Sequence, residues 1–186
     1  TLENLEKGTV QELNLAPYSI TREDLQVLIH VIPKNTSLRA IILGNCQFDR
    51  ALFEMFADAL KYHPSLVELS LGNNNDIGDH GAKIMATVLE HSKTLASLHM
   101  CKGNIGDMGM RALARALKNN QTLNILDLSD NKISDDGAAV LADVFKHNFC
   151  LTRLKLDGNR IGYSGITALT KALDGNQTLV EFTMMN

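Results

Sequence analysis

The chain predicts an α/β solenoid: a horseshoe of about seven short repeats, with a parallel β-sheet on the concave face and α-helices on the convex face. Three observations carry this expectation. Val10, Leu38, Leu66, Leu95, Leu123, Leu151 and Leu179 recur at steps of 28, 28, 29, 28, 28 and 28 residues, and a period of that length marks stacked supersecondary units. Each step opens on an alternating apolar stretch, Leu123-x-x-Leu126-x-Leu128 in the most regular copy, which is the period-two pattern of a strand. Each then turns at an apolar residue such as Ile133 and enters a segment whose apolar residues, here Val140, Leu141, Val144 and Phe145, share one face of a helix. Parallel strands stack about 4.8 Å apart. Helices need more room, so the stack curves with its strands inside.

The elements follow in order. TLENLEKG at the start reads as the last turns of a helix. In the first repeat Thr21 and Asp24 form an N-cap pattern, and Pro17 falls in the turn, where its missing N–H costs least. In the second repeat Asp49 is the expected N-cap before Leu52, Phe53, Phe56 and Leu60. Repeats three to six are nearly interchangeable, and each carries a glycine near its helix start, Gly81, Gly109, Gly137 or Gly165. That glycine is expected to let neighbouring helices approach, so repeats one and two, which lack it, are expected to splay. Asp79, Asp107, Asp135 and Asp136 fall in first helical turns, where the helix dipole favours acids. Asn131 and Asn159 occupy equivalent turn positions and are expected to bond free backbone groups between repeats. Cys46 takes the same place in repeat two, as a small buried residue. The one longer step comes from LGNNNDI (71–77), one residue longer than LSDNKI (128–133), an insertion that a turn absorbs. The seventh repeat ends after its strand, so residues 1–186 read as a single domain and as a piece of a longer protein, with self-association through the uncapped last repeat as the other outcome.

Composition narrows the function classes. Hydrophobic content of 45% with 21% charged residues is that of an ordinary folded chain. A net charge of −3 gives nucleic acid and anionic membranes no purchase, and no apolar run is long enough to cross a bilayer. Cys46, Cys101 and Cys150 form no C-x-x-C pair, which argues against structural zinc, and free thiols point to the cytoplasm. The glycosylation sequons at Asn35, Asn120 and Asn176 all stand at one repeat position, just before the leading leucine, so they read as a by-product of repetition. No G-x-x-x-x-G-K-S/T loop is present, and no cofactor is expected.

The segment IGDMGMRALARALKNNQTLNILDLSDNKI (105–133) resembles the ribonuclease-inhibitor-like subfamily of leucine-rich repeats, and the resemblance extends from Val10 onward. Its members include repeat domains of NOD-like receptors, the Ran GTPase-activating protein and the actin-capping tropomodulins. The resemblance implies a leucine-rich-repeat horseshoe that binds a protein partner. It also carries three alternatives: a GTPase activator of the Ran type, an actin-filament regulator resembling tropomodulin, and a secreted microbial mimic of such scaffolds.

Residues between the structural leucines are expected to face the hollow. Asn14, Ile42, Ser70, His99, Asp127, Lys155 and Thr183 form the central row. Glu12, Ala40, Glu68, Ser97, Ile125, Arg153 and Glu181 are placed at the rim. The candidate partner-binding residues are Glu68, His99, Asp127, Arg153, Lys155, Asp157 and Glu181, a mixed-charge patch beside a flatter apolar face at Ile42, Gly44 and Gly72. His99, Cys101 and Asp127 also hold the parts of a nucleophile system. An open strand face has neither lid nor oxyanion hole, so the expectation is a non-catalytic scaffold.

Overall fold

A computed structural model describes residues 2–46, 48–74 and 77–185. Seven strands, β1 (Glu12–Asn14), β2 (Ala40–Ile42), β3 (Glu68–Ser70), β4 (Ser97–His99), β5 (Ile125–Asp127), β6 (Arg153–Lys155) and β7 (Glu181–Thr183), form one parallel sheet in chain order. Helices α1 (Leu2–Glu6), α2 (Arg22–Val31), α3 (Arg50–Leu60), α4 (Gly78–His91), α5 (Asp107–Asn119), α6 (Asp135–Phe145) and α7 (Tyr163–Leu173) lie between them, with a 3-10 turn at Ile32–Lys34. α1 agrees with the helical reading of the opening residues.

The repeat register survives in three dimensions. Leu13, Ile41, Leu69, Leu98, Leu126, Leu154 and Phe182 pair residue for residue across the sheet. Leu69, Leu98, Leu126 and Leu154 are fully buried, in one core cluster with the helix residues Leu113, Leu117, Leu141 and Val144. Each such side chain contributes on the order of 2 kcal/mol of burial free energy. The core is one continuous seam from Leu5 to Leu169.

Two asparagine series tie the turns. Asn131 Nδ2 donates to the carbonyls of Met100 and Leu128, both at 2.9 Å, and its Oδ1 accepts from Gly103 and Ile105. Asn159 repeats this toward Leu128, Leu156 and Ile133, and Asn74 toward Leu43, Leu71 and Cys46. Cys46 itself is buried with its thiol pushed up to about 11 by desolvation, an inert core residue. The second series sits where each helix returns to the sheet. Asn35, Asn120, Asn148 and Asn176 each accept an N–H from the leading leucine of their repeat and donate to the carbonyl of a preceding helix exit. The three sequon asparagines are therefore scaffold pieces, their amides already spent on backbone. Asn75 and Asp76, in the turn that holds the one-residue insertion, lie outside the described residues.

The first-turn aspartates do more than sit in a helix dipole. Asp79 Oδ1 accepts from Gly106 at 2.7 Å and Gly109 at 2.9 Å. Asp107 accepts from the N–H groups of Ser134 and Gly137 and from the Ser134 hydroxyl. Asp135 accepts from Gly162, Gly165 and the Ser164 hydroxyl, and these bonds hold its carboxyl below the usual range. Each acid thus caps the helix of the next repeat. The glycine is required because a methyl built there would lie 2.6 Å from the capping oxygen at Gly137 and Gly165 and 2.7 Å at Gly109. In repeats one and two the capping acid's position holds Arg22 and Arg50, and the glycine's holds Asp24 and Leu52. Arg22 pairs with Asp49, and Arg50 bonds the His80 ring. α2–α3 and α3–α4 are looser helix pairs than those between α4 and α7: the first lacks both the glycine and the capping acid, the second, with Gly81 present, lacks the acid. Both predicted caps of the early helices are present: a full capping box at Thr21 and Asp24, and Asp49 bonding the N–H of Leu52.

Candidate concave interaction face

Alternation along a strand places residues i and i+2 on one side. The row expected at the rim therefore shares the concave face with the central row. The Ser97 hydroxyl lies 2.9 Å from His99 Nε2, which fixes the point. Glu68, Arg153 and Glu181 thus stand beside His99, Asp127 and Lys155 rather than apart from them.

The expected charge cluster divides into separate units. His99 lies between acids on both flanking strands, with Nδ1 3.7 Å from Asp127 Oδ2 and Nε2 4.0 Å from Glu68 Oε1. Burial pushes the Asp127 carboxyl up, but hydrogen bonds from His99 and Ser129 outweigh it and hold the group at about 2. Asp127 is therefore an anion with one oxygen committed to the turn and one facing the hollow. Lys155 pairs in register with Asp127 on one side and Thr183 on the other. Arg153 Nε meets Glu181 Oε2 at 3.5 Å in an exposed pair, an arrangement of small energetic weight. Asp157 also has bonds within the scaffold. It accepts from the Thr183 hydroxyl and from the Met185 N–H, so it ties repeat six to repeat seven much as Asp127 ties its own turn. Burial raises the Asp157 carboxyl, and these bonds prevail to lower it.

The thiol of this patch is not activated. Burial raises the Cys101 thiol, with the Asp127 charge adding to it, the opposite of an activated nucleophile. Ser97, His99 and Asp127 do stand in hydroxyl–imidazole–carboxylate order, a sequence that alternation places on one strand face. The N–H groups that could serve an oxyanion are committed to the sheet, Ser97 to Val67, Met100 to Asp127 and Lys102 to Ser129. No helix among the described residues is long and apolar enough to cross a membrane.

The leucine-rich-repeat family, described as Leucine Rich repeat, matches residues 62–86, 119–142 and 147–169, each spanning the strand, turn and helix geometry given above. Over these stretches the chain is a leucine-rich-repeat protein. The 28- and 29-residue repeats with a full helix in each are of the ribonuclease-inhibitor-like type. Among curated proteins it is similar to the human "NACHT, LRR and PYD domains-containing protein 13", 28% identical over 101 residues, which is 54% of this chain and 10% of that relative. The match thus spans about a tenth of the relative's length. Among solved structures it is similar to the tropomodulin C-terminal domain of Caenorhabditis elegans, with a TM-score of 0.65, 16% identity, and coverage of 81% of this chain and 92% of that one. It is also similar to "Leiomodin-1 Actin-Binding Site 2 (ABS2)", with a TM-score of 0.51, 15% identity, and coverage of 100% and 77%. At these identities the two structures share the leucine-rich-repeat fold.

Proposed function

We propose that this leucine-rich-repeat chain is a non-catalytic scaffold that docks a protein partner on its concave strand face, centred on His99 and Asp127 and flanked by Glu68, Arg153, Lys155 and Glu181. One observation carries the reading: Glu68, His99, Asp127 and Lys155 lie close together on four consecutive strands, while the leucines between them supply the packing. A face that alternates acids, an imidazole and a base selects partners through charge complementarity. Asp157 belongs to this site as a support for the turn beside it. The chain acts in the cytoplasm, a reading supported by its three free cysteines.

Leiomodin-1 is named for an actin-binding site, which makes actin the first partner to assay. Cosedimentation with filaments and gel filtration with monomers, each with the unmodified chain and with Arg153→Glu/Lys155→Glu, tests both levels. Binding that the reversal weakens at least tenfold supports the face and names its partner. Actin binding unchanged by the reversal places the site elsewhere.

A further inference from the structure

At the junction where each helix returns to the sheet, the described repeats carry Asn35, His63, Ser92, Asn120, Asn148 and Asn176. The asparagines do two tasks, accepting N–H groups from the leading leucine's turn and donating to carbonyls of the repeat before. His63 does the first with its ring: Nδ1 accepts from Leu66 at 3.2 Å and from Ser65 at 3.4 Å. That bonding requires an unprotonated Nδ1, and so a neutral ring carrying its proton on Nε2. His63 is 5% exposed, and Nε2 is buried beside the carbonyls of Ile32 and Asn35 without a well-formed hydrogen bond to either. A second proton therefore has no place to go without breaking the two backbone bonds and leaving a charge out of water.

We propose that His63 is a proton-sensitive joint of the solenoid: its neutral ring closes the junction between α3 and β3, and proton uptake opens that junction while the asparagine-closed ones stay shut. Its position suits this. α3 lies in the loosely packed half of the helical layer, where Arg22 and Arg50 replace the capping aspartates. Beyond the ring, the His63 carbonyl accepts the Thr94 hydroxyl at 3.2 Å, and Ser65 bonds the Leu38 carbonyl, so opening loosens contacts to both neighbouring repeats. β3 carries Glu68, one flank of His99, and moves with the junction.

The titratable groups on the surrounding elements are Lys34 on the preceding exit, Lys61 and Tyr62 beside the ring, and His91 and Lys93 on the following exit. Lys61 is engaged with Asp58, and the Tyr62 ring packs edge-on against His91. Burial sets the direction of the His63 shift, downward, and the carbonyls of Ile32 and Asn35 oppose it. The sign follows. Above the ordinary imidazole value of about 6.5 neither folded nor unfolded chain is protonated here. Below it the unfolded chain takes up a proton that the folded one refuses, and stability falls until the folded value is passed.

The test is urea unfolding of the full chain from pH 4.5 to 8, for the unmodified protein, His63→Asn and His63→Ser, with amide exchange across residues 60–67 at pH 5 and 7.5. The other five histidines are common to all three proteins, so the difference isolates this ring. The folded-to-unfolded ratio of the unmodified chain is expected to fall relative to the variants by up to tenfold per pH unit below about 6.5, with faster exchange at pH 5 confined to this junction. A ratio that stays constant with pH overturns the proposal. Nitrogen-15 chemical shifts of the ring provide the check where neither variant folds: titration of His63 in the folded protein at its ordinary value overturns it too, and a neutral ring at pH 6 supports it.

Discussion

Asp107, the first residue of α5, accepts the backbone N–H of Gly137 at the start of α6, at 3.1 Å. The same carboxylate takes the N–H and hydroxyl of Ser134 at 2.8 and 2.6 Å. One side chain thus answers three donors of the next repeat and couples neighbouring helices through their ends. Asp107→Ala removes all three acceptors and is expected to cost about 1–2 kcal/mol, in line with the loss of a helix cap. Urea unfolding of the variant checks it.

Gly137 gives the complementary prediction. Glycine inside a helix ordinarily costs about 0.5–1 kcal/mol relative to alanine. Here Gly137→Ala is expected to destabilise instead, because its methyl would meet Asp107 Oδ1 and Ile133 Cγ2, each at 2.6 Å. The loss is about 2 kcal/mol by analogy with overpacked cores. Gly175, with nothing within 4 Å of its added carbon, is the control, and Gly175→Ala leaves the thermal midpoint unchanged or raises it.

Asn131→Ala strands buried backbone groups on two repeats, the carbonyls of Met100 and Leu128 and the N–H groups of Gly103 and Ile105. Each buried orphan costs roughly 1–3 kcal/mol, water can reach some of them, and the net loss expected is about 3 kcal/mol. Calorimetry of the variant measures it, with amide exchange accelerated at Gly103 and Ile105.

Asp127 predicts an acid dependence. Its carboxyl is held at about 2 in the folded chain, well below the ordinary aspartate value of about 3.9. Its contribution is complete above the unfolded value and is lost as pH falls toward about 2. It amounts to on the order of 2 kcal/mol. Asp127→Asn is expected to flatten the stability profile between pH 4 and pH 2, read by denaturant titration at each pH.

Much of the fold was legible because its determinants are periodic. Val10 and the leucines from Leu38 to Leu179 place the seven strands, and Asn131 and Asn159 stand one repeat apart with equal surroundings. Thr21 with Asp24, and Asp49, are local patterns whose partners lie three residues away. What was not legible depends on contacts between repeats. Asp79, Asp107 and Asp135 look like ordinary first-turn acids until the next repeat's glycine is beside them. Asn74 stands eight residues after Leu66, as Asn131 does after Leu123, so the same count would have found it. His63 sits among asparagines at a position whose bonding role is visible only in three dimensions. For the site, the residue types and their strand positions were readable, whereas side-chain pairing was not. Asp157 bonds Thr183 and Met185 of the next repeat, and Arg153 meets Glu181. The supposed rim row joined the concave face because two residues apart on a strand means one side.

The most direct test of the concave-face account compares two charge reversals on one folded chain. Arg153→Glu/Lys155→Glu alters the strand face, and Lys83→Glu/Arg111→Glu alters exposed positions on α4 and α5. Partner affinity is measured by surface plasmon resonance for each, after unfolding midpoints show both variants intact. The account predicts at least a tenfold loss for the strand-face pair and no change for the helical pair. Equal affinity for the strand-face variant, or a loss confined to the helical one, contradicts it.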